Sequence, residues 1–424
     1  MATMSLSRRH LLTAIGVGGA LAAGGSLTAC GGSGGDKDFV VYSADATFKQ
    51  NWQKMLQKRF GDPNGLTVKI FAYQPADFLT QFQNAVRSNA PVDGLVLNGQ
   101  NVGFLQSKGL LKPVDDLIDP GAFQPAAMDP FRIKGKYYAA GIGTLNTSML
   151  AYNKDLLTKH DLTVPETFDD LKANVRKLKG TGVALLGFGG ATVFQWPMWF
   201  MAMLQQTSGG QPIELTKKTL AGGPSFTSGA YVHAMELLQE LGASGAFAPG
   251  LMGTSFTAAQ ADFVAGKSAM YWYGSWIISQ LVDQAKFPVE IAPFPRFVSG
   301  VAPDPVGSVT AATGLYTRTA SDRQDLARKF VRFLTSPQGD QYVMQASPQG
   351  FPAPAVKSVQ VPKQTALDKQ VATEFVPKTF TFLDWLWPAA VTTAFQQNIQ
   401  AVIGQKKSPK AAMADIQKTF ESGS

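Results

Sequence analysis

The sequence predicts an α/β fold built on a parallel sheet, and the prediction depends on how two apolar patterns alternate. Short apolar runs at residues 39–42, 67–71 and 94–97 are typical of buried strands. Between these runs, apolar side chains recur at helical spacing in residues 48–56 and 78–86. The resulting order of strand, helix, strand, helix and strand is typical of proteins with a parallel sheet.

Polar segments separate the elements of this first region. Asp62-Pro63-Asn64-Gly65 indicates a turn between the first helix and the second strand. Asp45 follows the first strand, and Asn98-Gly99-Gln100-Asn101 follows the third. Because ligands of open parallel sheets bind beyond the carboxyl ends of the strands, both positions are candidate ligand contacts.

The same two patterns continue along the rest of the chain. Residues 149–152 and 269–273 predict strands, and helices are predicted over residues 168–178, 233–241, 326–334, 394–403 and 408–420. No tandem repeat accompanies them. The 424 residues correspond to two or three domain-sized units.

Composition excludes several classes of protein. With 45% hydrophobic and 16% charged residues, the chain is too apolar to be mostly disordered. One Cys and three His exclude a disulfide framework and a multi-thiolate or multi-His metal centre, so we expect no metal and no cofactor. The net charge of +8 is scattered rather than concentrated in a basic stripe, so we expect no nucleic-acid partner.

The N-terminus has the features of an export signal. Arg8 and Arg9 precede an apolar run over residues 11–27, which ends at Leu27-Thr28-Ala29-Cys30. This arrangement is typical of a secretory signal, the paired arginines resemble a twin-arginine signal, and the last four residues resemble a bacterial lipobox. The alternative, a permanent membrane anchor, is disfavoured because the only thiol of the chain stands at the cleavage point.

We therefore expect a signal peptide over residues 1–29, a lipidated Cys30 and a flexible tether over residues 30–36. The mature protein would then be exported and held by its lipid at the outer face of the cytoplasmic membrane, or in the periplasm. No later stretch approaches the roughly 18 apolar residues of a membrane span, so we expect the mature body to be soluble. We also expect it to be a monomer.

Several motifs in the mature chain resemble one family, the family 1 extracellular solute-binding proteins of ABC importers, which are maltose-binding-protein-like. The segments that carry the resemblance are Ala151-Tyr-Asn-Lys-Asp-Leu-Leu157, Ala265-Gly-Lys-Ser-Ala-Met270 before Gly274-Ser-Trp276, residues 327–339, and residues 404–412. Their order and spacing behind a lipobox extend the resemblance over nearly the whole mature chain.

The resemblance implies a two-lobed periplasmic-binding-protein fold of type II, with hinged α/β lobes around a central cleft. By this resemblance, the first lobe comprises residues 37–145 plus 293–345, and the second comprises residues 146–292 plus 346–424. Closure of the lobes around a ligand would create the form that an ABC permease recognises.

Sugar recognition combines aromatic faces, which stack on pyranose rings, with planar polar groups that bridge hydroxyls. Trp276 stands where the family carries a stacking Trp, the alternative being a core position. Tyr273 and Trp272 precede it on alternate faces of a strand, so one is expected in the cleft and the other in the core. Trp196 and Trp387 are further ligand candidates by resemblance, each with burial in the core as the alternative.

The polar candidates follow from the same resemblance. Asp45 matches a carboxylate that accepts hydroxyl hydrogen bonds, with helix capping as the alternative. Neutral amides stand where maltose-binding-protein-like proteins carry charges, which makes maltodextrin an unexpected ligand. These amides are Asn98, Gln100 and Asn146. Gly307 and Ser308 stand where the family brings backbone N–H groups close to the ligand, with a plain turn as the alternative, and Phe351 lies in a segment that resembles a hinge-side contact.

The predicted function is therefore the capture of a mono- or oligosaccharide for an ABC importer. A glycerophosphate, a glycerophosphodiester or another polyol is the alternative ligand of the same importer class. An exported carbohydrate-active enzyme is a remote alternative, because the chain has few strand-end carboxylates, no Gly-x-Ser-x-Gly elbow and no phosphate-binding loop.

Overall fold

A computed structural model describes residues 37–423, with the side chains of residues 75 and 76 left aside. The predicted signal peptide, the lipidated Cys30 and the tether lie outside the described residues. Along the described part of the chain, no helix has both the length and the apolar character needed to cross a bilayer.

Strands and helices are interspersed along the described chain, with runs of either kind. The strands are β1 (Asp38–Ser43), β2 (Thr67–Ala72), β3 (Gly94–Val96), β4 (Leu111–Lys112), β5 (Arg132–Ile133), β6 (Lys136–Tyr137), β7 (Ala140–Asn153), β8 (Ala184–Gly187), β9 (Ser268–Gly274), β10 (Val289–Ala292), β11 (Val306–Thr313), β12 (Leu315–Tyr316) and β13 (Phe380–Thr381). The helices are α1 (Lys49–Leu56), α2 (Pro75–Arg87), α3 (Gly99–Ser107), α4 (Pro125–Met128), α5 (Lys154–Lys159), α6 (Phe168–Leu178), α7 (Trp196–Thr207), α8 (Pro212–Leu220), α9 (Gly229–Ala243), α10 (Phe256–Val264), α11 (Ser275–Gln284), α12 (Gln324–Leu334), α13 (Pro337–Ala346), α14 (Ala366–Gln370), α15 (Ala389–Ile403) and α16 (Pro409–Ser422).

The first sheet has the order β2-β1-β3, and all of its strands are parallel. This confirms the strand and helix alternation predicted from the first segment. Its strands carry apolar residues on both faces because helices cover both sides: Phe82 of α2 packs edge-on against Tyr42, and Phe330 of α12 packs against Phe39. The parallel strands direct the Ser43–Asp45 and Leu97–Asn98 ends toward one edge.

The second sheet has the order β13-β11-β7-β9-β8, and β10 also pairs with β7. Its central strand, β7, is 14 residues long and buried throughout. The first half of β7 pairs with β11, and its second half pairs with β9 and β10. Leu97 and Ala312 join the two sheets through a pair of backbone hydrogen bonds of 2.7 and 2.8 Å.

The length of β7 exceeds the strand predicted at residues 149–152. The apolar pattern is interrupted by Asn146, Thr147 and Ser148, which are nevertheless buried in the strand. Each is satisfied by a neighbouring segment, as when the Thr147 hydroxyl lies 2.7 Å from the Thr379 hydroxyl and Ser148 Oγ accepts from Val306 N–H at 3.0 Å. Such partners come from distant parts of the chain, so local periodicity does not reveal them.

A β-bulge interrupts the pairing of β7 with β11 between Leu145 and Ile142. Gly143 lies in the bulge with φ +82°, a conformation that favours glycine. The fully buried Asp340 of α13 accepts hydrogen bonds from the backbone N–H groups of Gly143 and, at 3.1 Å, Val356. One carboxylate thus joins the bulge to a second segment that runs alongside β7.

Candidate functional site

The site is organised around Trp276, which follows the strand-to-helix junction of β9 and α11. The ring of Trp276 is half-buried and lies directly over Gly274, where an added Cβ would stand 1.9 Å from the ring. Only glycine fits that close approach. The Trp276 ring packs edge-on against Tyr273 at 5.4 Å and against Phe382 at 6.0 Å, measured between ring centroids.

These contacts belong to a continuous row of six aromatic rings. From Phe382 the row reaches Trp385 at 5.3 Å, and from Tyr273 it reaches Phe256 at 5.2 Å. Phe194 follows Phe256 at 5.7 Å and is 55% exposed, which is unusual for so large an apolar side chain. We call the six residues the aromatic row: Phe194, Phe256, Tyr273, Trp276, Phe382 and Trp385.

Trp385 connects the aromatic row to the polar segment that follows β3. An added Cβ at Gly99 would stand 1.8 Å from the Trp385 ring, so the first residue of α3 must be glycine for the ring to pack there. Asn98 caps this helix by accepting from Asn101 N–H at 3.1 Å, and Gln100 is exposed. The structure therefore brings the predicted Asn98 and Gln100 close to a Trp that the sequence analysis did not select.

Asp384 places an unsatisfied carboxylate oxygen within the aromatic row. It lies between Phe382 and Trp385 in a short 3-10 turn, Leu383–Trp385. Among residues 37–423, Asp384 Oδ1 is a buried atom without a hydrogen-bond donor. Burial raises the pKa of Asp384 to about 7, and burial together with the neighbouring Tyr271 and Asp384 groups raises the pKa of Tyr273. A buried acceptor without a partner is rare and suits a ligand hydroxyl.

Asn146 lies at the centre of β7, where it is bonded to other parts of the protein. Its Oδ1 accepts from Ser275 Oγ at 2.8 Å, and its Nδ2 donates to Thr310 Oγ1 at 3.2 Å. Gly307 and Ser308 lie on the neighbouring β11; an added Cβ at Gly307 would stand 2.0 Å from the Asn146 carbonyl oxygen. All three residues are buried, and ligand contact by them stays a prediction.

Asp45 lies beyond the end of β1 with both carboxylate oxygens in use. Oδ1 accepts from Phe48 N–H at 3.2 Å, and Oδ2 accepts from Trp52 Nε1 and Ser347 Oγ, both at 3.0 Å. The bond to Phe48 N–H lies in the turn before α1, whose N-cap is Phe48 and has no side-chain capping bond, so Asp45 stabilises that turn rather than capping the helix. A ligand role for Asp45 stays a prediction.

The remaining predicted aromatic contacts are buried. Trp196 has no exposed surface and donates from Nε1 to Gly190 O at 3.2 Å. Trp387 is 5% exposed and stacks on Phe395 at 4.1 Å, and Phe351 is also buried. Of the strand pair, Trp272 lies in the core and the almost fully buried Tyr273 joins the aromatic row. The structure thus matches the core alternative for Trp196 and Trp387.

Sequence reasoning missed Asp384, Trp385, Phe382 and Phe256. The cluster Phe380-Thr-Phe-Leu-Asp-Trp-Leu-Trp387 was the available signal, but Trp387 was preferred over Trp385 within it. Within the described residues, no group of three or more His, Cys, Asp or Glu side chains is placed to hold a metal ion. The ring surfaces of the aromatic row and the free acceptor of Asp384 are suited to bind a ligand with one apolar face and several hydroxyls.

Comparison with known sequences identifies a related family. The pattern of the bacterial extracellular solute-binding proteins matches residues 55–373, which is more than half of the chain. An uncharacterized ABC transporter extracellular-binding protein of Pyrococcus horikoshii is 25% identical over 228 residues, and a putative binding protein of Brucella abortus is 28% identical over 226 residues. These matches cover 52% of this chain, and the chain spans about half the length of the curated relatives it matches.

Solved structures superpose over most of the chain. A family 1 extracellular solute-binding protein from Bifidobacterium longum subsp. infantis matches with a TM-score of 0.76 at 18% identity, covering 92% of this chain and all of the other. The GacH receptor of Streptomyces glaucescens, solved unliganded and with acarbose, matches at 0.71 and 23%, covering 91% and 98%. A chitin oligosaccharide binding protein matches at 0.75 and 18%, covering 92% and 99%. These matches confirm the predicted two-lobed α/β fold.

Proposed function

The chain belongs to the bacterial extracellular solute-binding protein family, and on that premise we propose that it captures a carbohydrate for an ABC importer. The ligand is a mono- or oligosaccharide, which the protein delivers to a membrane permease without changing it. The family is a transport family rather than an enzyme family.

The observation that carries this proposal is the aromatic row with Asp384 inside it. Half-buried Trp276, Phe382 and Trp385 offer apolar ring surface of the kind on which the C–H face of a pyranose packs. Asp384 Oδ1 supplies an acceptor for a hydroxyl, and a hydrogen bond to a charged acceptor is among the stronger ones in proteins. Apolar stacking beside a few polar groups is the general design of small-molecule sites.

Related structures support a sugar ligand. The GacH receptor was solved in complex with acarbose, and another structural neighbour is a chitin oligosaccharide binding protein. These proteins share the fold of this chain at 23% and 18% identity, so the residues of the aromatic row carry the argument for this chain itself.

We further propose that the two lobes, bounded as the family resemblance implies, close around the sugar by bending near the bulge of β7. A ligand that contacts both lobes binds the closed form more tightly and so shifts the population toward it. In this scheme the twin-arginine signal directs export, and the lipid on Cys30 keeps the binder beside its permease.

A thermal-shift screen of the chain without residues 1–30 tests the sugar assignment. Glucose, xylose and N-acetylglucosamine are each offered as one-, two- and three-unit oligomers, together with polyols and glycerophosphodiesters. A sugar that binds the folded state raises the melting temperature, because it adds RT ln(1 + [L]/Kd) to the stability. Chromatography of the recovered ligand checks that it is unchanged.

Substitution of Trp276 tests the site. We expect Trp276→Ala to lower sugar affinity about tenfold, because stacking of this ring is worth about 1–1.5 kcal/mol, while Trp276→Phe keeps most of the affinity. Calorimetric titration measures both. Undiminished sugar affinity in Trp276→Ala would refute the stacking role, and a response only to phosphodiesters would refute the sugar assignment.

A further inference from the structure

A cavity of about 510 Å³ lies between α11 and α13, apart from the aromatic row. Thr144, residues 348–350, Pro352 and residues 359–362 form its remaining walls, and no residue of the aromatic row lines it. Its volume is within the range of small-molecule sites, about 300–1,000 Å³. The cavity is therefore large enough for a sugar unit.

The walls of this cavity are rich in side-chain amides. Gln280 from α11, Gln341 and Gln345 from α13, and Gln349 and Gln360 from the adjoining segments all line it. Each amide carries both a donor and an acceptor, which matches the hydroxyl group, itself a donor and an acceptor. Ser279 and Asp283 add two further polar groups, and none of the lining residues is Lys or Arg.

Most of these amides are free to bind a ligand. Across residues 37–423, the side chains of Gln341, Gln345, Gln349 and Gln360 form no hydrogen bond with another protein group. Gln280 differs, because its Nε2 donates to Trp276 O at 2.9 Å. With a carboxylate at Asp283 and no cation to balance it, the cavity favours a neutral ligand over a phosphodiester.

The cavity begins one helical turn beyond Trp276. Trp276, Ser279, Gln280 and Asp283 recur at intervals that place them on one face of α11. At a rise of about 1.5 Å per residue, Ser279 and Gln280 lie about 4.5–6 Å along the helix from Trp276. Because the Trp276 ring lies back over Gly274, a ligand that packs against it would have to extend along this face of α11 to reach the cavity.

The cavity also touches both groups of elements that meet at β7. α11 packs on β7 and β9 of the second sheet. α13 also packs on β7, and its other neighbours are α1 and α12, which cover the first sheet. Thr144, which lies beside the bulge of β7, and Gly350 form the wall between them. An occupant would hydrogen-bond to both sides at once.

We propose that this glutamine-lined cavity is a polar subsite for the second unit of a neutral oligosaccharide whose first unit packs against Trp276. The inference rests on the proposed function and narrows its ligand to a sugar of two or more units. The aromatic row packs against the apolar face of one sugar unit, and the amides form hydrogen bonds with the hydroxyls of the next unit.

The experiment compares affinities across the three neutral length series, glucose, xylose and N-acetylglucosamine, by calorimetric titration. We expect the two-unit member of the bound series to bind at least about tenfold more tightly than the single sugar. The double variant Gln345→Ala/Gln349→Ala should then lose about tenfold in affinity for the two-unit sugar and less than about twofold for the single sugar. The control is Gln81→Ala, at an exposed position on α2 outside the cavity.

The outcomes separate this inference from the proposed function. If a sugar binds but neither its length nor the double variant changes affinity, the subsite is refuted while the sugar-binding function stands. If no sugar in any series binds the unsubstituted protein, both are refuted. The melting temperature of the double variant should match that of the Gln81→Ala control, because the two replaced amides form no hydrogen bonds within the described chain.

Discussion

Replacing Asp384 with Asn should stabilise the protein and weaken its ligand binding at the same time. Within the described chain, Oδ1 of this carboxylate is buried without a donor, so the charge is desolvated and incompletely compensated. Asn has nearly the same shape but no charge. The folded protein would then avoid the cost of burying an ionised group, while a sugar hydroxyl would lose a charged acceptor.

The size of the effect follows from the raised pKa. A rise of the Asp384 pKa from 3.8 to about 7 lowers the free energy of unfolding by at most about 4 kcal/mol at pH above 7. Because the residue keeps some contact with solvent, we expect Asp384→Asn to raise the free energy of unfolding by about 1–2 kcal/mol at pH 8. Loss of one hydrogen bond to a charged group should cost about tenfold in sugar affinity.

The sign of the pH dependence is fixed by the direction of the pKa shift. With a folded-state pKa above the unfolded value, the stability that Asp384 contributes is fully present below about pH 4 and is lost as the pH rises through about 7. Asp384→Asn should therefore unfold at higher urea concentration than the unsubstituted protein at pH 8, and at nearly the same concentration at pH 4. Urea unfolding followed by circular dichroism at both pH values measures this.

Asp45→Asn serves as the control for stability, because three donors already bond to the Asp45 carboxylate. The NH₂ group of Asn is itself a donor, so it cannot replace the oxygen that accepts some of these bonds. We expect that control to lose stability. A decrease in stability of Asp384→Asn at pH 8, or a gain that does not depend on pH, would refute the burial argument. Unchanged sugar affinity would refute the role of this carboxylate in binding.

Three further predictions follow from contacts in the fold. Gly99→Ala should destabilise the protein by about 1–3 kcal/mol and weaken sugar binding, since its Cβ would stand 1.8 Å from the Trp385 ring. Gly103→Ala on the same helix, with its nearest atom at 3.9 Å, should be neutral or slightly stabilising. Chemical denaturation compares the two variants, and equal losses of stability would contradict the packing argument. Asp340→Ala should cost about 1–3 kcal/mol at pH 5, because the buried N–H of Gly143 loses its acceptor; an unchanged unfolding midpoint would contradict it. Burial raises the pKa of Asp340 to about 7, so its contribution to stability should also decline between about pH 4 and 7, and Asp340→Ala should show a smaller decline when unfolding is followed across that range.

The closeness of the aromatic row and the bulge of β7 has a consequence for ligand capture. Trp276 is the second residue of α11 and follows Ser275, whose hydroxyl donates to Asn146 of β7 at 2.8 Å. A ligand that moves Trp276 would therefore act on a residue bonded to β7, the central strand of the second sheet. Under the proposed function, this contact would give the sugar a short physical path to the segment where we propose that the lobes bend.

Local patterns determined most of the elements. The apolar periodicities of the first segment predicted β1, α1, β2, α2 and β3, and the stripe over residues 168–178 coincides with α6. Side-chain caps explain why such elements begin where they do, as when Thr167 and Asp170 form a capping box at the start of α6. These interactions join residues only a few positions apart, so the sequence alone reveals them.

Tertiary structure decided which aromatic side chains are available to a ligand. Trp385 and Trp387 are two residues apart and chemically identical, yet Trp387 stacks on Phe395 in the core while Trp385 lies half-buried over Gly99. The aromatic row joins rings from residues 194, 256, 276 and 382, and Asp384 is costly to bury because the folded chain shields its carboxylate from water. The sequence determines the chemical character of each side chain, but burial depends on which distant segments cover it, and that is set when the sheets and helices pack.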